Sequence, residues 1–274
     1  MASLFPSGPP LPVFSSLIVK GPYHASAPIH LALSHSANLP ETCILMITPS
    51  RDTMVTALRD HNDDWMSVHS GQGKILELSQ CTTVFYPPSP AHFAYLVSML
   101  TTDDQSQNVT TILDQAPSLV VLIELSAYFL SDVQTNPNGH SWTLSSYMTL
   151  VARTLASFAA LSSGQSDIAL VLFDSQLDDL KLPVLKHPTA GPNRKPSKLE
   201  NVAFFVQKYF DMVAVFEEDD EFFLNSSQED EREMDAERRN RMQIFRRGQS
   251  VPFETLRWVE RPGGSTGGAI FVWS

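Results

Sequence analysis

Two short stretches combine residue types and spacing that bear on chemistry. The first, Gly21-Pro-Tyr-His-Ala-Ser-Ala-Pro28, follows the apolar segment Ser16-Leu-Ile-Val-Lys20 and precedes the apolar-spaced Leu31 and Leu33. A strand, a glycine, a short loop and a helix form the layout in which backbone N–H groups and a lysine hold phosphates at a helix N-terminus. With Gly21 as the first glycine of such a loop, Ser26 stands for the second, Ala27 for the lysine and Pro28 for the magnesium-binding Ser/Thr. A γ-phosphate and its metal would thus lack their usual partners. An ordinary strand–turn–helix connection has the same layout.

The second stretch runs from Pro117 to Leu130, and Leu119 to Leu122 is a continuous apolar run of the kind that forms a strand covered on both faces. Its first acid is Glu124. Ligands of open α/β sheets bind at the carboxyl ends of the strands, so an acid there is placed to direct a magnesium ion. In a nucleotide-binding loop protein the acid follows the run directly, but here Ile123 holds that position and Glu124 comes one residue late. On a regular strand, one residue of shift sends a side chain to the opposite face.

Other candidates carry less. His24, His30 and His35 are separated by six and five residues, which does not place them on one helical face, and no cysteine lies near, so no metal site is expected. Ser175 beside Asp174 lacks the Gly-x-Ser-x-Gly surroundings of a nucleophile elbow. Cys43 and Cys81 are too few for a disulfide scaffold or a zinc cluster and favour a reducing compartment.

The elements that must position these residues alternate. Strands are expected at 16–21, 42–48, 82–86, 117–123, 168–173 and 212–216. Helices are expected over 51–66, from Ser89 or Pro90 through Leu100, and from about Leu144 through Phe158. Glu254–Val259 and Ala269–Trp273 alternate as a hairpin around the glycine-rich 261–268 turn. This order argues for an α/β fold with a mostly parallel sheet covered by helices and a C-terminal β-hairpin. Residues 1–14, rich in proline and small side chains, read as a flexible arm, and 15–274 as one domain.

At 274 residues and 43% hydrophobic, the chain can bury a large core. It has no uninterrupted apolar run long enough to suggest a membrane span, and it begins with Met1 without a secretory signal pattern. The net charge of −11 is local: Glu217 to Glu237 holds eleven acids and one arginine, leaving the remainder near neutral. An acidic, disordered insertion at about 217–240 is expected, followed by the basic Arg238, Arg239, Arg241, Arg246 and Arg247. The acids could equally shield these arginines or dock a basic partner.

Three segments together resemble a known family. Leu17-Ile-Val-Lys-Gly-Pro22, Val84-Phe-Tyr-Pro-Pro-Ser89 and Pro117-Ser-Leu-Val-Val-Leu122 through Tyr128 are similar to the phosphate-loop strand, the Tyr-Pro-Pro-Ser segment and the magnesium-site strand of RecA-fold recombinase paralogues. Within these, the likeness is to the ATPase-like partner of the SWIM-domain protein in the Shu recombination-mediator complex. The tryptophan-bearing terminal hairpin is also similar. The resemblance implies a RecA-like fold and a nuclear protein of homologous recombination and DNA repair. It implies as partners a SWIM-domain mediator protein, a RecA-family recombinase or its paralogues, and DNA reached through the complex. Because Ser26, Ala27, Pro28 and Ile123 depart from the pattern, no cofactor and no catalytic residue carries over; a pseudo-ATPase is expected.

On a RecA-like sheet the loops 131–141 and 175–199 line the DNA-facing side. Only the second is basic, which makes Lys186, Arg194, Lys195 and Lys198 candidates for phosphate contact, with Arg246 and Arg247 as a second patch. Two other functions suit the sequence: a RecA-like accessory subunit of Elongator in transfer-RNA modification, and an atypical nucleotide hydrolase. Phe14, Trp258 and Trp273 suit either a subunit interface or the chain's own core.

Overall fold

A computed structural model describes residues 2–39, 42–100, 113, 116–130, 142–162, 167–184, 198–219, 237–263 and 267–274. The chain order is β1 (Ser16–Lys20), α1 (Ala27–Asn38), β2 (Cys43–Ile47), α2 (Arg51–Asp60), α3 (Asp64–His69), α4 (Gly73–Gln80), β3 (Thr82–Phe85), α5 (Pro90–Met99) and β4 (Pro117–Ile123). Then follow α6 (Leu144–Leu161), β5 (Ala169–Asp174), β6 (Lys181–Pro183), β7 (Leu199–Asn201), α7 (Val202–Val206), β8 (Met212–Glu218), β9 (Arg238–Arg246), β10 (Glu254–Pro262) and β11 (Ala269–Trp273).

Nine strands form one sheet in the order β11-β10-β9-β8-β1-β5-β4-β2-β3. From β8 to β3 every neighbour is parallel. From β8 to β11 every neighbour is antiparallel. Strand β4 is buried along its whole length, as its apolar run demands. Its pleat feeds two cores. Val120 and Leu122 join Phe93 and Val97 of α5, Tyr147, Val151 and Phe158 of α6, and Val202 and Val206 of α7 on one face. Leu119, Val121 and Ile123 join Ala27 and Leu31 of α1 on the other. Helix α6 is long and apolar enough for a membrane span by length and composition, but its apolar stripe packs on the sheet, which accounts for that composition.

Four expectations change. The helix expected over 51–66 is two helices, because Asp63 accepts the Met66 N–H at 3.0 Å and starts a new one. The basic stretch is strand β9, whose alternation buries Met242 and Ile244. It inserts between β8 and the terminal hairpin, whose strands pair with Trp258 opposite Trp273. Its first arginines belong to the span expected as a disordered acidic insertion, and so do Glu217 and Glu218 of β8; residues 220–236 of that span lie outside the described residues. The N-terminal arm is folded: Leu4, Phe5 and Leu11 are buried, and Phe5 stacks on Phe271 at 4.1 Å between ring centroids. Trp258 is buried, and Phe14 and Trp273 pack against the same cluster, so these aromatics belong to the chain's own core.

Candidate functional site at the carboxyl edge of the sheet

Parallel pairing brings the carboxyl ends of β1, β2, β4 and β5 level: Lys20 lies opposite Asp174, Ile47 opposite Leu122, and Ile123 opposite Phe173. The segments that leave these ends, together with the one after β3, enclose a cavity of about 700 Å³. Tyr23 and Pro28 come from the first loop, Thr48 and Ser50 from the second, Pro88 and Ser89 from the third, Glu124 and Tyr128 from the fourth, and Ser175 from the fifth. Serines at 50 and 89 cap the helices that follow them, accepting the N–H groups of Thr53 and His92. The Tyr128 hydroxyl donates to the Pro87 carbonyl and ties two of these loops together.

Gly21 is needed for its backbone. Its φ is +91°, and a Cβ there would lie 2.3 Å from the Phe216 carbonyl oxygen of β8. The loop beyond it is closed upon itself. The Ser26 N–H points to His24 Nδ1 at 3.3 Å, the Ala27 N–H donates to the His24 carbonyl at 2.9 Å, and Pro28 has no N–H. Buried Ser26 donates its hydroxyl to Asp63 Oδ2 at 2.6 Å, and His30 Nε2 meets the same oxygen at 2.6 Å. The Ser26 and Ala27 amides and the Ser26 hydroxyl are therefore turned to partners inside the protein.

Hydrogen bonds from His30 and Ser26 hold the Asp63 carboxyl below its ordinary range despite its burial. Burial lowers His24 to about 4. Sequence spacing separates the histidines, yet the fold joins His24 and His30 through Ser26 and Asp63, while His35 sits apart against Ser118 at 2.9 Å. Among the described residues no group of three His, Cys, Asp or Glu side chains is arranged to hold a metal.

Glu124 does not continue the pleat. Its φ of +54° is left-handed, a strained conformation for a residue with a side chain. The expectation that a one-residue shift takes this acid to the far face is corrected: its Oε1 accepts the Tyr23 hydroxyl at 2.5 Å and the Ser175 N–H at 3.1 Å. Ile123, in the usual acid position, is buried in the core beneath α1. Asp174 is fully buried and accepts the Ser126 N–H at 2.8 Å and the Ser126 hydroxyl at 2.5 Å. Burial, then the Glu124 charge, push it up to about 7. Its carboxylate is thus engaged with Ser126, and Ser175 presents its backbone N–H to Glu124.

Among the described residues the basic candidates, Lys198, Arg246 and Arg247, do not converge. Lys186, Arg194 and Lys195 lie outside the described residues. Lys198, on the ribbon that follows β5, is exposed and pairs with Glu200. Arg246 and Arg247 lie at the opposite edge of the sheet, beside the start of β8. Arg246 stacks over Phe253 at 4.1 Å, and Arg247 donates to the carbonyls of Tyr209 and Phe210 and to Asp211. Arg241 and Arg257 are held by Glu217 and Asp219, so carboxylates on β8 and just after it neutralise part of the basic stretch. Sequence reading overlooked Tyr23, Asp63 and Trp142 as parts of this edge; only their places after strands or before helices offered a signal.

The sheet defines the class of the fold: an α/β domain with a mostly parallel sheet covered by helices, whose loops at the carboxyl ends of the parallel strands form the cavity, and with antiparallel strands extending one side. No protein-family model matches the sequence, and no curated protein matches it. Among solved structures the chain is similar to the crystal structure of the RadB recombinase, with 11% identity, 91% of this chain and 89% of that one covered, and a TM-score of 0.45. It is also similar to the ATPase domain of G40P, with 10% identity, coverage of 89% and 80%, and a TM-score of 0.45.

Proposed function

We infer that this chain is a non-catalytic RecA-like subunit of a Shu-type homologous-recombination mediator complex, which assists recombinase filament assembly on DNA. The observation that carries the non-catalytic part is the closed phosphate loop. Ser26 is bonded to Asp63, Ala27 offers no cation and spends its N–H on His24, and Pro28 has neither N–H nor hydroxyl. ATP hydrolysis rests on positioning and on cations around the phosphates. Here the lining residues include no lysine or arginine among those described. The Shu-type assignment rests on the Tyr-Pro-Pro-Ser and Pro-Ser-Leu segments. Its partners are a SWIM-domain protein and a RecA-family recombinase, its site the nucleus, and its DNA contacts come through the complex, with the 175–199 segment as this chain's share.

Two experiments test it. Purified chain incubated with ATP and magnesium is expected to release no phosphate above background; turnover that disappears in Glu124→Gln would overturn the pseudo-ATPase reading and favour an atypical hydrolase. Gentle affinity purification from native cells, followed by mass spectrometry, is expected to return a SWIM-domain protein or a recombinase in stoichiometric amount. Recovery of Elongator subunits would assign the same fold to transfer-RNA modification.

A further inference from the structure

The cavity at the carboxyl edge remains open although its phosphate loop is closed. Its volume, about 700 Å³, is that of a small-molecule site. Tyr23, Met54, Ile123, Tyr128 and Trp142 give it an apolar and aromatic wall. Glu124 supplies a negative charge. Both of its hydrogen bonds fall on Oε1, and among the described residues no donor reaches Oε2. The left-handed backbone at Glu124 keeps this acid in the cavity where the pleat would take it away.

We propose that this cavity binds a small organic cation, a protonated amine on an apolar or aromatic body, with the ammonium at Glu124 and the body against Tyr128, Trp142 and Met54. The charge balance suits a monocation. Asp174, in the neighbouring strand, is pushed up to about 7 by burial and then by the Glu124 charge, so it adds less than a full second negative charge at neutral pH. A polyphosphate is disfavoured because it would meet Glu124 with no lysine or arginine among the described lining residues to offset it. Aromatic walls add attraction for a cation. The site would give the non-catalytic fold a ligand of opposite charge to a nucleotide, and it stands whichever partners the chain assembles with.

Isothermal titration of the full chain tests this with benzylamine as the probe, benzyl alcohol as its neutral counterpart, and ATP. Benzylamine is expected to bind at least about tenfold more tightly than benzyl alcohol, the difference a charge-assisted contact supplies. ATP is expected not to displace it. Glu124→Gln keeps an oxygen for Tyr23 and Ser175 but removes the charge, and it is expected to abolish the preference for the amine. Should that variant fail to fold, Ala57→Phe, which fills the cavity from its α2 wall, is expected to block benzylamine binding with Glu124 intact. No benzylamine binding, equal binding of the alcohol, or displacement by ATP would each overturn the proposal. Partner recovery is read separately and does not bear on it.

Discussion

The Tyr23 hydroxyl donates to Glu124 Oε1 at 2.5 Å, joining the loop after β1 to the end of β4 across 101 residues of sequence. Burial, followed by the Glu124 charge and hydrogen bond, drives the Tyr23 phenol well above its ordinary range, so it remains a donor at every physiological pH.

Tyr23→Phe removes this donor and leaves the ring. The acceptor is a half-buried carboxylate that keeps the Ser175 N–H, so a loss of about 1.5–3 kcal/mol is expected, the span for bonds to charged groups. Urea denaturation measures it. No loss would mean that water replaces the hydroxyl and that the two segments are not tied by this bond.

Gly21→Ala is expected to be far more damaging than Gly248→Ala, although both glycines have positive φ. A Cβ at 21 meets the Phe216 carbonyl at 2.3 Å, whereas one at 248 meets nothing within 4 Å. Backbone strain alone costs about 1 kcal/mol, and the collision forces β1 and β8 apart. The expected result is a folded Gly248→Ala protein and a Gly21→Ala protein destabilised by about 3 kcal/mol or more, compared by denaturant midpoint.

Asp174 and His24 give opposite pH dependences. Asp174 is raised from 3.8 to about 7, so the native state holds a proton that the unfolded chain has lost, and stability falls as pH rises from about 4 to about 7. His24 is lowered from 6.5 to about 4, so the unfolded chain takes the proton first, and stability falls as pH drops through that range. Asp174→Asn can retain both Ser126 contacts without the charge. Relative to the wild type it is expected to gain stability progressively between pH 4 and pH 7, as unfolding curves across that range would register. A pH-independent difference would refute the buried-acid account.

Arg247→Ala is expected to act on stability. Its guanidinium donates to Phe210 and Tyr209 carbonyls and to Asp211, which also accepts from Ser15 and Ser16. A loss of about 1–2 kcal/mol is expected, with no change in the salt dependence of any single-stranded DNA binding, read by fluorescence anisotropy. A shallower salt slope would return Arg247 to the list of phosphate contacts.

Much of the fold was legible because burial on both faces leaves a local signature. Leu119 to Leu122 reads as a core strand wherever it is met, and Ser89 marks a helix start through a bond made within three residues. Strand β9 was obscured because four of its nine residues are arginines, and the carboxylates that meet Arg241 lie on and just after β8. The arm reads as flexible for a similar reason: Leu4 and Phe5 stand among prolines and small residues, and Phe5 packs on Phe271 and Trp258 more than 250 residues away.

The sequence by itself determined the alternating elements, the parallel core and the absence of a lysine or arginine between Gly21 and Pro28, since each follows from residue type and near-neighbour spacing. Tertiary structure alone decided where the polar side chains went. Ser26 and His30 converge on Asp63 from different elements, and a single left-handed residue turns Glu124 back toward Tyr23. Hydrogen bonds of that kind act over about 3 Å between segments far apart in the chain. No periodicity of the sequence encodes them, and only the folded sheet brings their partners within reach.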